Sequence, residues 1–110
     1  PVACLSAVYT ANTLHIVSWH QVQALFEGVG RCLEPQGLLI IYGPFRYAGQ
    51  FTTSSNAEFD RWLRQRDCDS GIRDFEAVQL LAEHQGLELL ADYAMPANNQ
   101  LLVWQRVAEK

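Results

Sequence analysis

"CLSAVYTANTLHIVSWHQVQALFEGVGRCLEPQGLLIIY", residues 4–42, is the stretch that decides the fold. Residues 4–11 are short, mostly apolar and β-tolerant, the pattern of a strand covered on both faces as in parallel sheets. Ser18 is a good N-cap with Gln21 three residues later, which makes a capping box, and Val17 and Val22 are placed as a hydrophobic staple across it. Val22, Leu25, Phe26, Val29 and Leu33 recur at helical spacing and form one apolar stripe. Gly28 and Gly30 weaken that helix by about 1 kcal/mol each relative to alanine, which makes them candidates for close packing on a sheet. Pro35 and Gly37 stop the helix. Residues 38–42, "LLIIY", are too short for a helix and bounded by breakers, so they read as a second buried strand. Strand, helix and strand then form a βαβ unit with parallel strands.

Working outward, residues 43–56, "GPFRYAGQFTTSSN", read as a loop. Ser55 and Glu58 suit a second capping box, opening a helix with Phe59, Trp62 and Leu63 on one face. Asp74 can cap a third helix with the stripe Phe75, Val78, Leu81 and Ala82, ended by Gly86. Residues 87–94 and 101–107 read as strands joined by the turn "MPANNQ", hence antiparallel. The expected order is β-α-β-α-α-β-β in one α/β domain over residues 1–110, mostly parallel with an antiparallel terminal hairpin.

Composition narrows the function. The 110 residues are 49% hydrophobic and 18% charged, which excludes a disordered chain. No apolar run approaches the roughly 20 residues of a membrane helix, and no secretion signal opens the chain. A net charge of -4 speaks against a broad grip on nucleic acid. Arg61, Arg64, Arg66 and Arg73 are interleaved with Asp60, Asp67, Asp69 and Asp74, which reads either as a solvated face or as an anion contact. Cys4, Cys32 and Cys68 have no C-x-x-C spacing, so neither a disulfide framework nor a zinc site is expected. Cys32 falls on the apolar face of its helix and reads as a core residue, and the expected compartment is the reducing cytoplasm. No metal is expected.

In open α/β sheets ligands sit beyond the carboxyl ends of the parallel strands. Asn12, Thr13 and His15 follow the first strand, Gly43, Pro44, Phe45 and Tyr47 the second, and Asn98 and Asn99 lie in the terminal turn. Each also has a plain structural reading. Asn12, Asn98 and Asn99 are natural turn residues, His15 can be a hydrogen-bonded structural residue, and Phe45 and Tyr47 can line a pocket or fill the underside of the loop.

Residues 33–45, "LEPQGLLIIYGPF", resemble the helix end, Pro-Gly turn and fifth strand of class I S-adenosylmethionine-dependent methyltransferases. "ANTLHIVSW", "YGPFRYAGQFTTSSNAEFDRWLRQRD", "SGIRDFE" and "MPANNQLLVW" resemble the methyltransferase-like protein 26 type within that class, over residues 5–106. The resemblance implies the carboxyl-terminal half of a Rossmann-like methyltransferase sheet, strands four to seven. The Gly-rich loop and the acidic strand end that hold most of the cofactor in that class have no counterpart here. It implies further that Asn12 and Thr13 lie near the methionine end of S-adenosylmethionine. By position, His15, Phe45, Tyr47, Asn56, Asp60, Arg73, Asp74, Asn98 and Asn99 would surround an unspecified methyl acceptor. On this reading the chain alone binds the cofactor weakly or not at all.

A half sheet leaves the strand over residues 4–11 with one unpaired edge, an association template. A homo-oligomer joined through that edge is therefore expected. The alternative to a methyltransferase segment is a self-associating α/β interaction domain without catalytic activity.

Overall fold

The computed structural model of the protein describes residues 5–107. Its elements are β1 (Leu5–Ala11), α1 (Trp19–Cys32), β2 (Leu33–Gly43), β3 (Phe45–Tyr47), β4 (Gln50–Phe51), α2 (Ser54–Arg66), β5 (Arg73–Asp74), α3 (Phe75–His84), β6 (Leu87–Met95) and β7 (Asn99–Arg106). Cys4, expected at the start of β1, lies outside the described residues.

The main sheet has the strand order β1-β2-β7-β6. β1 and β2 pair parallel, with Val8 opposite Leu39 and Thr10 opposite Ile41. β7 runs antiparallel to β2 and to β6, so β6 points the same way as β1 and β2. The expected βαβ unit and terminal hairpin are both present.

α1 begins as its residues dictate. Ser18 accepts from the Gln21 N–H at 3.2 Å and the Gln21 side chain accepts from the Ser18 N–H at 3.0 Å, a complete capping box. Its end corrects the sequence reading. The helix stops at Cys32, ahead of Pro35, and β2 starts at Leu33, whose backbone is already extended. Proline disfavours helical backbone in the residue before it and supplies no N–H, so the chain leaves the helix early. Gln36 then takes a left-handed φ of 70°, and a Cβ at Gly37 would come within 2.8 Å of the Glu34 carbonyl, so this entry to β2 needs glycine.

Val22, Phe26 and Val29 of α1 and Val78 and Ala82 of α3 pack on Leu39, Ile41, Leu102 and Trp104. Phe26 and Trp104 meet edge to face at 6.1 Å, and the Trp104 indole N–H donates to Gln79 at 2.8 Å. Gly30 does not pack on the sheet; a Cβ there would run into the Gln85 side chain at the end of α3. Cys32, expected in the core, is exposed. It ends the helix beyond the buried stripe of Val22, Phe26 and Val29.

The alternation that buries Leu39 and Ile41 turns Leu38, Ile40 and Tyr42 to the opposite face. Tyr9 and Val103 lie in register with Ile40, and Tyr93 with Leu101. Tyr9 is 62% exposed and Tyr93 56%. One face of the sheet thus carries α1 and α3, and the other presents an apolar surface.

The segment read as a loop contributes β3 and β4 to a second, three-stranded sheet of order β4-β3-β5, completed by β5 beyond α2. α2 also starts differently from expectation. Thr53, not Ser55, is its N-cap, and its hydroxyl accepts from the Asn56 N–H at 3.1 Å. Asp74 does precede α3, but its carboxylate pairs with Arg46 and makes no cap bond.

Thr53→Ala should therefore lower stability by about 1 kcal/mol, whereas Ser55→Ala, at an exposed position, should change it by less than about 0.5 kcal/mol. Urea denaturation of the two variants checks the assignment, and the reverse ranking would restore Ser55 as the cap.

Candidate functional site

β1, β2 and β6 point the same way, so the segments that follow them meet at one rim. Asn12 turns the chain there with a left-handed φ of 55°, and its N–H donates to the Tyr42 carbonyl at 2.8 Å. The Asn12 side chain is exposed. Thr13 fixes the turn from within: its hydroxyl accepts from Thr10 at 2.8 Å and donates to the Ala11 carbonyl at 3.1 Å. The Thr13 carbonyl then accepts from the N–H groups of Ile16 and Val17.

This tight turn drives His15 inward, where it is 5% exposed. Its ring lies edge-on to Phe59 of α2 at 5.7 Å. A Cβ on Gly43 would sit 3.6 Å from Nδ1, so the ring rests beside the end of β2. Among the described residues no hydrogen bond engages the ring nitrogens, yet no fully buried side-chain nitrogen or oxygen is left without a partner. The ring nitrogens are therefore not completely sealed from solvent. Burial, and secondarily the charge of Arg73, hold its pKa below the usual 6.5. His15 is thus a neutral imidazole at neutral pH, able to accept a proton.

α2 leans on the same rim. Asn56 is buried and its amide donates to Thr52 and to the Asn98 carbonyl, both at 3.2 Å. Asn98 has a φ of 63°, the left-handed backbone that asparagine tolerates, while Asn99 donates to the Tyr42 hydroxyl at 3.2 Å. Asn12, Thr13, His15, Asn56, Asn98 and Asn99 are thus brought together.

The other candidates lie elsewhere. Phe45 is 1% exposed and part of the main core. Tyr47 stacks on Phe75 at 5.3 Å and donates to Asp92 at 2.7 Å, tying β3 to β6. Burial, then Asp92, raises its phenol pKa strongly, which leaves it a donor and no base. Asp60 lies on the buried side of α2, accepting from the Ile72 N–H at 2.8 Å and from Arg64 Nε at 2.9 Å. Arg73 donates to the carbonyls of Leu14, Val17 and Asp69 and braces the loop that carries His15. Arg46 lowers the pKa of Asp74 by hydrogen bonding to its carboxylate. Phe59 and Tyr42 belong to the rim although sequence reasoning did not select them; Phe59 read only as a member of an apolar helix face. Asp67, Cys68 and Asp69 bring their ligand atoms within 4.8 Å of one another on an exposed turn, where Asp67 accepts from the Asp69 N–H.

His15 titration has a definite sign. Its folded pKa lies below its unfolded value, so above about pH 6.5 both states are neutral and its contribution is at its fullest. As pH falls through 6.5 and on through the folded pKa, the unfolded state takes up the proton first and stability is lost. NMR titration of the His15 Cε1 proton should give a midpoint below 6.5, and His15→Gln should remove that portion of the pH dependence of unfolding. A midpoint above 6.5 would contradict the assignment.

Solved structures that share the fold include the following three. An O-methyltransferase family protein from Burkholderia thailandensis matches with a TM-score of 0.79 and 15% identity, covering 96% of this chain and 31% of that one. An O-methyltransferase family 2 protein from Planctomyces limnophilus, in complex with apigenin, matches with a TM-score of 0.83 and 16% identity over 93% of this chain and 31% of that one. Human N-acetylserotonin methyltransferase, in complex with SAM, matches with a TM-score of 0.77 and 12% identity over 94% of this chain and 30% of that one. The chain spans about a third of the length of these structures. At such identities the likeness shows the fold, a methyltransferase-like α/β sheet. Residues 1–106 match the family described as "Protein of unknown function (DUF938)", and the chain belongs to that family.

Proposed function

We propose that this chain forms the acceptor-side part of a class I S-adenosylmethionine-dependent methyltransferase, of the methyltransferase-like protein 26 type, acting on a hydroxyl group. One observation carries the reading: a buried imidazole with a lowered pKa, His15, lies beside the end of β2, where the parallel strands end. S-adenosylmethionine, when bound, supplies an activated methyl group, so the protein has only to orient the acceptor and take its proton. His15 accepts that proton, and its neutral state at pH 7 suits the task. The O-methyltransferase neighbours support a hydroxyl acceptor.

Asn12, whose exposed amide has no hydrogen-bond partner among the described residues, fits the methionine end of the cofactor. Thr13 is occupied in the turn and acts by fixing Asn12 in place. Asn56, Asn98 and Asn99 border the acceptor. Phe45, Tyr47, Asp60 and Arg73 support the rim from behind. The remainder of the donor pocket, with its Gly-rich loop, comes from a further segment of sheet, in keeping with neighbours about three times as long. That segment docks beside the unpaired edge of β1 and over the apolar face bearing Tyr9 and Tyr93. The exposed thiols of Cys32 and Cys68 suit a reducing, cytoplasmic setting.

The same edge favours a second reading, a self-associating interaction domain. Among the described residues β1 has one unpaired side, and an apolar groove of about 260 Å3 runs between it and α1, lined by Leu5, Val8, Leu25 and Val29.

Titrating the 15N-labelled chain with S-adenosylhomocysteine should shift the amides of residues 10–15 and 43–45 with a Kd of about 1 mM or weaker. Asn12→Ala should abolish those shifts. Saturable shifts confined to other surfaces would contradict the methyltransferase reading, and micromolar binding would contradict the need for a further segment. Sedimentation separates the two readings: a stable dimer showing no shift at the rim favours the interaction domain.

A further inference from the structure

Of the three arginines behind the rim, one has no carboxylate in contact among the described residues. A cleft of about 120 Å3 is lined by Trp19, Arg46, Arg64, Ile72, Arg73 and Asp74. Arg46 and Asp74 neutralise each other through two bonds, at 2.5 and 3.0 Å. Arg64 reaches the buried Asp60 through Nε alone. Its terminal nitrogens have no hydrogen-bond partner among the described residues, and its side chain is 47% exposed. Arg73 spends Nε and Nη2 on the carbonyls of Leu14, Val17 and Asp69, which accept hydrogen bonds but carry no charge, and its Nη1 has no hydrogen-bond partner among the described residues. Among the described residues no carboxylate lies within 4.0 Å of it. Arg46 and Arg64 thus each touch a carboxylate, whereas Arg73 touches none and feels only the more distant charges of Asp60 and Asp69. Burial, and then the charge of Arg64, lower the pKa of Arg73, as expected where one guanidinium faces another.

The seat of Arg64 is built into the backbone. A Cβ on Gly71 would come within 2.9 Å of an Arg64 terminal nitrogen, so the missing side chain leaves room for the guanidinium to lie against the turn. Gly71 itself has a φ of 147° and is fixed by donating its N–H to the His15 carbonyl at 3.0 Å. Arg73 is held by its carbonyls and stacked near the Trp19 ring at 5.8 Å. Both guanidiniums are thus positioned before any ligand arrives. An oxyanion between two such groups gains charge-assisted, forked hydrogen bonds that a single flexible lysine would not offer.

We propose that this cleft is an anion-binding site, in which Arg64 and Arg73 hold the carboxylate or phosphate group of a small molecule beside the Arg46–Asp74 pair. The site stands on its own residues and does not depend on the methyltransferase reading.

The test is NMR titration of the chain at constant ionic strength, with inorganic phosphate in one series and acetate in the other. Saturable shifts at the amides of residues 72–74 and the Trp19 indole are expected for at least one anion. Arg64→Gln should weaken binding about tenfold, Arg64→Lys by less, and Arg31→Gln, on the exposed last turn of α1, not at all. Stronger binding of phosphate identifies a phosphate-bearing ligand, and stronger binding of acetate a carboxylate. Because Arg64 is half-exposed, its variants should retain the dispersed spectrum of the sheet. Non-saturating shifts for both anions up to about 50 mM, a concentration at which even millimolar affinity saturates, would overturn the proposal. Unchanged affinity in Arg64→Gln would do the same.

Discussion

The parallel pairing of β1 with β2 is the constraint on which the rest of the structure depends. It places Val8 against Leu39 and Thr10 against Ile41, so both strands end at the same rim. β7 returns antiparallel along the other side of β2 and hands the direction back to β6. Three loops then converge without any long excursion: the one holding Asn12, Thr13 and His15, the one after Gly43, and the turn at Asn98 and Asn99. The buried residues Leu39 and Ile41 lock this arrangement, since a slip by one residue would turn them to the uncovered face.

Burial and charge then divide the labour around the rim. Asn12 stays in solvent while His15, three residues on, is enclosed by Phe59 and the end of β2. Desolvation makes that histidine neutral, and the carbonyls of its own loop are gathered by Arg73. The same arginine thereby couples the rim to the charged cleft behind it. Opposite the helices, the face bearing Tyr9, Ile40, Val103 and Tyr93 repeats the apolar habit of a sheet that is covered on both sides, which explains why its strands read as continuous hydrophobic runs.

The elements with long periodic patterns were legible in the sequence. α1 announced itself through Ser18, Gln21 and its stripe, and the terminal hairpin through its turn residues. Features decided by one hydrogen bond were not. Thr53 and Ser55 are both plausible caps, and only the fold chooses Thr53. β3, β4 and β5 are two or three residues long, too short for any periodicity to register. Cys32 sits one helical step beyond the buried stripe, and that step is set by where Pro35 ends the helix. Among the site candidates, chain position puts Asn12, Thr13, His15, Asn98 and Asn99 at the strand ends, because a parallel sheet fixes where its loops go, whereas Asn56 is reached only through the family resemblance. Chain position could not say that Phe45 turns into the core or that Asp60 is consumed by the Ile72 N–H, since the first depends on the packing of the main core and the second on a partner twelve residues away.

The most direct test of this account is the set of cross-strand NOEs between β1 and β2. The parallel register requires contacts from Ala7 to Leu38, Tyr9 to Ile40 and Ala11 to Tyr42, ascending together along both strands. Contacts running in the opposite sense, with Ala7 near Tyr42 and Ala11 near Leu38, would separate the three loops and remove the shared rim.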